Sequence, residues 1–312
     1  MRSFQKTLDR TKHPLYNIFI QVFEKPIFPA EVYDMNYKIV ADSSSNMFSF
    51  SGVEYAYAPL TVISPDREYE DTPDLDIEGM VDDLLKAEGP TRSSCPNMHQ
   101  WLTAFEGADA IFAITITSNL SGSYSSALQA GEEYMHTHPG AKVCVLDSLS
   151  TGPEMRLVIE KLRELIQAGL PFEEIEAQAR EYMKRTHLFF YLKSLTNLSR
   201  NGRVSPAVAK LAGMLGICIV GQARDGVLDP MHKCRGEKKS MKTMLAELKE
   251  KGFAGGKLRI DHCMNPDGAR QLKDDILALF PGSDIIIGTC GALCSFYAEK
   301  GGILVGFEGA LK

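Results

Sequence analysis

The sequence predicts an α/β protein of two domains: an N-terminal α/β/α layer on a mostly parallel sheet, and a C-terminal α+β domain with a mixed sheet. With 312 residues, of which 44% are hydrophobic, the chain exceeds what one core usually organises. From residue 37 onward, short apolar segments alternate with longer amphipathic ones, a pattern typical of parallel strands covered by helices. In the second half the apolar segments follow one another more closely.

The elements of the first domain follow from the spacing of apolar residues. Apolar runs predict strands at residues 39–41, 60–63, 111–117 and 143–147. Apolar residues that recur at intervals of three and four predict helices at residues 98–105, 123–135, 155–169 and 172–185. The first domain is therefore predicted to span residues 37–186.

The second domain is predicted over residues 187–312, with more closely spaced strands and fewer intervening helices. Their apolar segments lie at residues 188–192, 217–222, 227–228, 258–262, 285–287 and 303–307. Residues 1–36 form an N-terminal extension in which aromatic and aliphatic side chains are scattered with no sustained period. Two interpretations stay open for it: Met35 is the natural start, or the extension is an arm that packs on a neighbour.

Composition argues against several classes of partner. The net charge is −6 and the charges are mixed along the chain, so no basic stripe is available to neutralise a nucleic-acid backbone. Seven cysteines without a CxxC pair suit a reducing compartment. No apolar run approaches the roughly 20 residues of a membrane helix. We expect a cytoplasmic protein that binds no nucleic acid and does not insert stably into a membrane.

A hydroxyl-rich turn follows the strand at residues 111–117. In residues 114–127 an apolar strand ends in a turn, and a helix then begins. The turn contains Ser118, Ser121, Gly122 and Ser123. The first N–H groups of a helix lack partners and carry the positive end of its dipole, so they can bind an anion. The alternative is that these serines only cap the helix.

A second hydroxyl cluster, Thr91-Arg-Ser-Ser-Cys-Pro96, precedes the helix at residues 98–105. Loops of this kind lie together at the carboxyl ends of parallel strands, where ligands usually bind. The two clusters can therefore converge on one anion, although a cluster of this kind, taken alone, more often caps a helix. Arg203, after a flexible turn, is a third candidate for a contact to a carboxylate or phosphate.

Catalytic and metal-binding patterns are weak. Asp42 and Asp147 each follow a predicted strand, and such a pair can bind Mg²⁺ or act as acid and base. An Asp-Ser pair after a strand more often closes a turn on its own backbone. The sequence contains no GxSxG, HExxH or GxxxxGK[ST] motif. We therefore predict no catalytic residue, no metal ligand and no cofactor.

Several of these segments, taken in order, resemble the DegV family of bacterial fatty-acid-binding proteins from residue 37 to the C-terminus. The markers are Ile39-Val-Ala-Asp-Ser43, Thr91-Arg-Ser-Ser-Cys-Pro96, Thr117-Ser-Asn-Leu-Ser-Gly-Ser-Tyr124, Val145-Leu-Asp-Ser148 and Asn201-Gly-Arg-Val-Ser205. The resemblance implies a long-chain fatty acid buried between and within two domains. Its carboxylate would meet Thr91 and Ser121, with the N–H of Gly122 and with Ser118 nearby.

The resemblance also implies further contacts and a partner. Arg203 would lie where related proteins bind a phosphate, and Tyr297 stands where the family often has a histidine. Candidate residues of the tail tunnel, which periodicity alone would assign to the core, are Phe190, Leu192, Leu211, Met214, Leu215 and Ile217. The protein would present its fatty acid to a separate kinase. Two alternatives stay open: a metal-dependent enzyme acting through Asp42 and Asp147 on a small phosphorylated or hydroxylated substrate, or a regulatory protein that contains lipid.

Overall fold

Strands and helices alternate along the first half of the chain, and strands follow one another more closely in the second. The computed structural model describes residues 35–208 and 216–312, and the predicted extension up to residue 34 lies outside the described residues. The strands are β1 (Tyr37–Asp42), β2 (Glu54–Ala58), β3 (Thr61–Ile63), β4 (Glu68–Glu70), β5 (Arg92–Ser94), β6 (Ala110–Thr115), β7 (Lys142–Asp147), β8 (Thr186–Leu192), β9 (Ile217–Arg224), β10 (Val227–Arg235), β11 (Lys257–His262), β12 (Asp284–Thr289) and β13 (Ile303–Glu308).

Four helices of the described residues match the predicted helices at residues 98–105, 123–135, 155–169 and 172–185 to within two residues at each end, and the others were not predicted. The helices are α1 (Ile77–Lys86), α2 (Met98–Phe105), α3 (Ser123–Thr137), α4 (Pro153–Gln167), α5 (Phe172–Met183), α6 (Thr196–Arg200), α7 (Glu237–Glu250), α8 (Pro266–Leu279) and α9 (Ala292–Ala298). A short 3-10 helix, Ser43–Ser45, follows β1.

The N-terminal part contains a four-stranded parallel sheet in the order β2-β1-β6-β7. Side chains alternate between the two faces of a strand, so Val40, Ile111 and Val145 face helices α2 and α3. Phe112 points to the opposite face, where its ring stacks on Phe172 of α5 with centroids 4.5 Å apart. All four strands end at one edge of the sheet, and the turns of the candidate site follow there.

The C-terminal part contains a six-stranded mixed sheet in the order β10-β9-β8-β13-β11-β12. Neighbouring strands are antiparallel except β11 and β12. One face, with Phe189, Val220 and Val305, packs against α7 and α8. The other face, with Phe190 and Leu304, is turned toward α9. The prediction of a parallel first sheet and a mixed second sheet is confirmed.

One predicted N-terminal strand belongs to a different sheet, and one strand of the parallel sheet was not predicted. Residues 60–63 do not join the parallel sheet: β3 forms a separate antiparallel sheet in the order β4-β3-β5. This small sheet packs on α1 and α9, because Val62 contacts an apolar cluster that includes Met80 and Phe296. The fourth strand of the parallel sheet is instead β2, whose residues are mostly half-buried and therefore carry a weak apolar signal.

Helix α4 joins the two sheets. It contacts β1 and β6 of the parallel sheet and β8, β11 and β13 of the mixed sheet. A Cβ atom added at Gly306 of β13 would lie 2.4 Å from the carbonyl carbon of Pro153, so only glycine permits this close approach. Residues 36–312 form one compact unit. The division into domains 37–186 and 187–312 stays a prediction, and its boundary falls inside β8, which begins at Thr186.

Candidate functional site

A largely apolar cavity of about 300 Å³ lies between the mixed sheet, α9 and the turns after the parallel strands. Its wall on the mixed sheet consists of Leu188, Phe190, Leu192, Leu228 and Leu304. The first three share one face of β8 because they are two residues apart, and Leu304 pairs with Phe190 across the sheet. A second apolar group is formed by Leu60, Ile116 and Leu293. The cavity is therefore suited to an alkyl chain.

A buried carboxylate holds the turn between β6 and α3. The side chain of Asp42 accepts hydrogen bonds from the N–H of Ile116 at 2.8 Å and from the hydroxyl of Ser123 at 2.7 Å. Burial raises the pKa of Asp42, and these hydrogen bonds act in the opposite direction. The turn is thereby fixed so that Ser121 and Gly122, directly before α3, line the cavity. An anion placed there would meet the positive end of a helix of 15 residues.

The second hydroxyl cluster reaches the cavity at a different residue from the one predicted. Ser93 and Ser94 line the cavity, whereas Thr91 is not among the lining residues. The reason is the pairing of β5 with β3, which sets Ser93 opposite the buried Val62 and leaves Thr91 before the strand begins. The hydroxyl of Ser93 lies 2.8 Å from the hydroxyl of Tyr297 on α9. Ser93 therefore replaces Thr91 as the candidate from this cluster.

Arg203 brings a positive charge to the mouth of the cavity, the end lined by Ser93, Ser121 and Gly122. Its Nε donates to the carbonyl of Leu120 at 3.2 Å and its Nη1 to the carbonyl of Asn201 at 2.5 Å. The guanidinium carbon lies 5.9 Å from the centre of the Tyr297 ring. Arg203 lines the cavity, and within residues 35–208 and 216–312 it takes part in no ion pair.

Two side chains from the N-terminal part bind the first N–H groups of α9, the helix that carries Leu293 and Tyr297. Asp71 accepts from the N–H of Ala292 at 2.7 Å and of Leu293 at 3.3 Å. Asn46 accepts from the N–H of Gly291 at 2.9 Å. Burial raises the pKa of Asp71 to about 6, although both backbone hydrogen bonds lower it. The cavity wall formed by α9 therefore depends on side chains distant in sequence.

The tip of the β9–β10 hairpin is fastened to the turn that follows β6. The hydroxyl of Thr117 donates to the carbonyl of Gly226 at 2.8 Å, and the side-chain amide of Asn119 donates to the carbonyl of Asp225 at 2.8 Å. Leu228, two residues beyond the tip, lines the cavity. These bonds connect the turn that carries Ser121 to β10, whose Leu228 belongs to the apolar wall of the cavity.

The residues predicted to line the tunnel differ in where they lie. Phe190 and Leu192 line the cavity, together with Leu188, Leu228 and Leu304, which the sequence patterns did not indicate. Leu211, Met214 and Leu215 lie outside the described residues.

Ser118 and Ile217 do not line the cavity. Ser118 is exposed, and its N–H donates to Asp147 at 3.1 Å. Ile217 lies two residues before Ile219, the partner of the last residue of β8, so it extends past the cavity wall.

The two carboxylates considered for a metal or acid–base role have structural partners. Asp42 binds the β6–α3 turn, and its second oxygen accepts from the Ser44 hydroxyl at 2.5 Å. Asp147 accepts from the N–H groups of Ser118 and Leu149 and so closes its own turn. In the described ranges no group of three or more His, Cys, Asp or Glu side chains is arranged to hold a metal ion. No helix in the same part of the chain is long and apolar enough to cross a membrane.

A cavity with apolar walls and a mouth of hydroxyls and a guanidinium defines a site for an amphiphile with an anionic end. The chain belongs to the DegV family, whose family model, described as "Uncharacterised protein, DegV family", matches residues 36–308. A DegV domain-containing protein of Streptococcus pyogenes serotype M1 is 38% identical over 279 residues, which cover 88% of this chain and 100% of the relative.

Two solved structures are similar over most of the chain. A DegV family protein from Eubacterium eligens, loaded with heptadecanoic acid, is 42% identical with a TM-score of 0.86. The Streptococcus pneumoniae Fatty Acid Kinase B3 protein, loaded with linoleic acid, is 39% identical, also with a TM-score of 0.86. Each alignment covers 88% of this chain and 100% of the other.

Proposed function

We propose that this protein binds one long-chain fatty acid, with its carboxylate at Ser93 and Ser121 and its tail along the apolar wall around Phe190. The observation that carries the proposal is the continuity of one cavity, which joins hydroxyl donors and the Arg203 guanidinium to an apolar interior. Ser121 accepts the N–H of Ser123 at 3.3 Å, so its own proton is available for a carboxylate. The ligands of the two similar structures, heptadecanoic acid and linoleic acid, support this class of ligand.

The tail supplies most of the affinity in this proposal. A sixteen-carbon acid buries about fifteen methylene and methyl groups at roughly 0.8 kcal/mol each, a gross gain of about 12 kcal/mol before ordering costs. A hydrogen bond to a charged carboxylate contributes roughly 1.5–3 kcal/mol net. The hydroxyls therefore determine which end of the ligand lies at the mouth, whereas the apolar wall determines whether the ligand stays bound.

We further propose that the protein is a cytoplasmic carrier that presents its fatty acid to a separate kinase. The similarity to the Fatty Acid Kinase B3 protein supports this role. The carboxylates of Asp42 and Asp147 accept hydrogen bonds from backbone N–H groups of turns. This structural role agrees with a phosphorylation reaction that the kinase carries out. A carrier needs its carboxylate near the surface, and Ser94 and Gly122 at the mouth are exposed.

Native mass spectrometry of the full chain purified without detergent tests the proposal. We expect one long-chain acid per chain, recovered by solvent extraction and replaced in proportion when excess hexadecanoic acid is added. A chain without lipid that does not take up added acid would contradict the proposal. Incubation of the loaded protein with a fatty acid kinase and ATP tests the carrier role, and we expect an acyl phosphate only when both proteins are present.

A further inference from the structure

Tyr297 lies between the two hydroxyl-bearing segments of the cavity mouth. Its hydroxyl is 2.8 Å from that of Ser93 on β5, and its ring faces the guanidinium of Arg203. Arg203 in turn donates to the carbonyl of Leu120, the residue before Ser121. One aromatic side chain thus connects β5 to the β6–α3 turn through a hydrogen bond and a cation–π contact.

The hydrogen bond between Ser93 and Tyr297 controls how many protons the mouth can donate. Each hydroxyl has one proton, and one of the two is used in the bond between them. The remaining proton is free for a ligand, whichever hydroxyl is the donor. A hydroxyl that already accepts a hydrogen bond is oriented and polarised, so it donates more strongly. The pair is therefore a prearranged donor beside the positive charge of Arg203.

Arg203 and the hydroxyl pair would act differently on charged and neutral ligands. A carboxylate accepts hydrogen bonds only, and its bonds to hydroxyl and guanidinium donors are strengthened by charge. A primary alcohol of the same chain length is neutral and gains much less from the same donors. The described lining of the cavity contains Arg203 and no carboxylate side chain, so no acidic residue among the described lining residues would repel an anion.

We propose that Tyr297 is a positioning residue that makes the site select a carboxylate over a neutral amphiphile of equal length. It does so by fixing the Ser93 hydroxyl through their shared hydrogen bond, which leaves the pair one proton for the ligand, and by keeping the Arg203 guanidinium at the mouth. This inference rests on the proposed function, since it assigns a basis for ligand selection to the same site. Tyr297 was expected only as a contact to the ligand headgroup, whereas the hydrogen bond to Ser93 gives it a role through another residue.

The test compares binding of hexadecanoic acid and hexadecan-1-ol to the delipidated full chain. Tyr297→Phe keeps the ring over Arg203 and removes the hydroxyl. We expect the preference for the acid over the alcohol to fall about tenfold, the factor that corresponds to about 1.4 kcal/mol. Affinity for the alcohol should stay near that of the wild type. Ser93→Ala should lower the preference at least as much, and the double variant should lower it further, because each single variant leaves one hydroxyl donor and the double variant leaves none.

A matched control separates this role from a general loss of packing. Tyr134→Phe removes a hydroxyl that donates to the carbonyl of Ala108 at 2.9 Å, in the core under α3 and away from the cavity lining. We expect it to leave the preference unchanged. An unaltered preference in Tyr297→Phe, or an equal loss of affinity for both ligands, would overturn the inference. Failure of the wild type to bind either ligand would instead contradict the proposed function.

Discussion

Gly226 and Thr117 are in direct contact, with the Thr117 hydroxyl donating to the Gly226 carbonyl at 2.8 Å. Gly226 has a φ of +77°, and a Cβ atom there would lie 2.6 Å from both the Thr117 hydroxyl and the Asn119 amide nitrogen. Glycine is therefore required twice, for its backbone conformation and for its lack of a side chain. This contact fastens the β9–β10 hairpin beside the mouth of the cavity.

Gly226→Ala is expected to destabilise the protein more than Gly169→Ala. Gly169 has a φ of +70°, and a Cβ atom there would meet no other atom within 4 Å. Both variants therefore share the conformational cost of roughly 1 kcal/mol, while only the first adds a clash. We expect the clash to lower the unfolding free energy of Gly226→Ala by about 1–3 kcal/mol more. Urea unfolding of the delipidated chains measures the difference. Equal losses would show that the hairpin tip is not held against the Thr117 turn.

Asp71 should give the protein a characteristic pH dependence. Its pKa in the folded protein, about 6, lies above the ordinary value of 3.8, so the folded state retains a proton that the unfolded chain releases. This contribution to stability is complete below about pH 3.8 and is lost as the pH rises through about 6. The unfolding free energy of the wild type should therefore fall relative to that of Asp71→Asn across this interval. Urea unfolding at several pH values measures both free energies. The same dependence on pH in the wild type and in Asp71→Asn would refute the assignment.

A bulky residue in the alkyl-chain region should displace the ligand. Leu228 and Val227 are neighbours on the edge strand β10, but Leu228 lines the cavity whereas Val227 is 45% exposed. In a cavity of about 300 Å³, the indole of Leu228→Trp would occupy space needed by the tail. We expect this variant to be purified without lipid and Val227→Trp to retain it. Full lipid content in Leu228→Trp, measured by extraction and mass spectrometry, would mean that the ligand lies elsewhere.

The hydroxyl of Ser121 should contribute to carboxylate binding. Removing one hydrogen bond to a charged group costs about 1.5–3 kcal/mol, so Ser121→Ala is expected to weaken fatty acid binding by roughly ten- to a hundredfold. Ser125 lies in the first turn of α3, the helix that follows Ser121, and is exposed, so Ser125→Ala is the matched control. Calorimetric titration of the delipidated chains with hexadecanoic acid gives both affinities. Indistinguishable affinities for the two variants would remove Ser121 from the site.

Helices and strands whose own residues carry a clear apolar pattern could be predicted from the sequence. Helix α2 begins and ends where its apolar spacing predicted, and Asn97 and Gln100 form a capping box at its start. The strand predicted at residues 188–192 lies within β8, a strand buried throughout its length. The prediction at residues 227–228 was short, because β10 continues to Arg235 through an irregularity between Pro230 and His232. Proline is tolerated there because β10 is an edge strand.

The parts of the site that depend on distant contacts could not be predicted. The hydroxyl cluster at residues 91–96 was recognised, but the choice between Thr91 and Ser93 depends on the register of β5 against β3. Asp71 binds the first N–H groups of α9, about 220 residues further along the chain, and no local pattern reveals that pairing. Leu304 has the sequence signature of an ordinary core residue, and only its pairing with Phe190 places it on the cavity wall.

A crystal structure of the full chain with hexadecanoic acid tests the central claim most directly. We predict one ligand, with its carboxylate within hydrogen-bonding distance of the hydroxyls of Ser93 and Ser121 and its tail along Phe190. An acid bound with its carboxylate at Phe190, or bound on the outer surface with this cavity unfilled, would contradict the account.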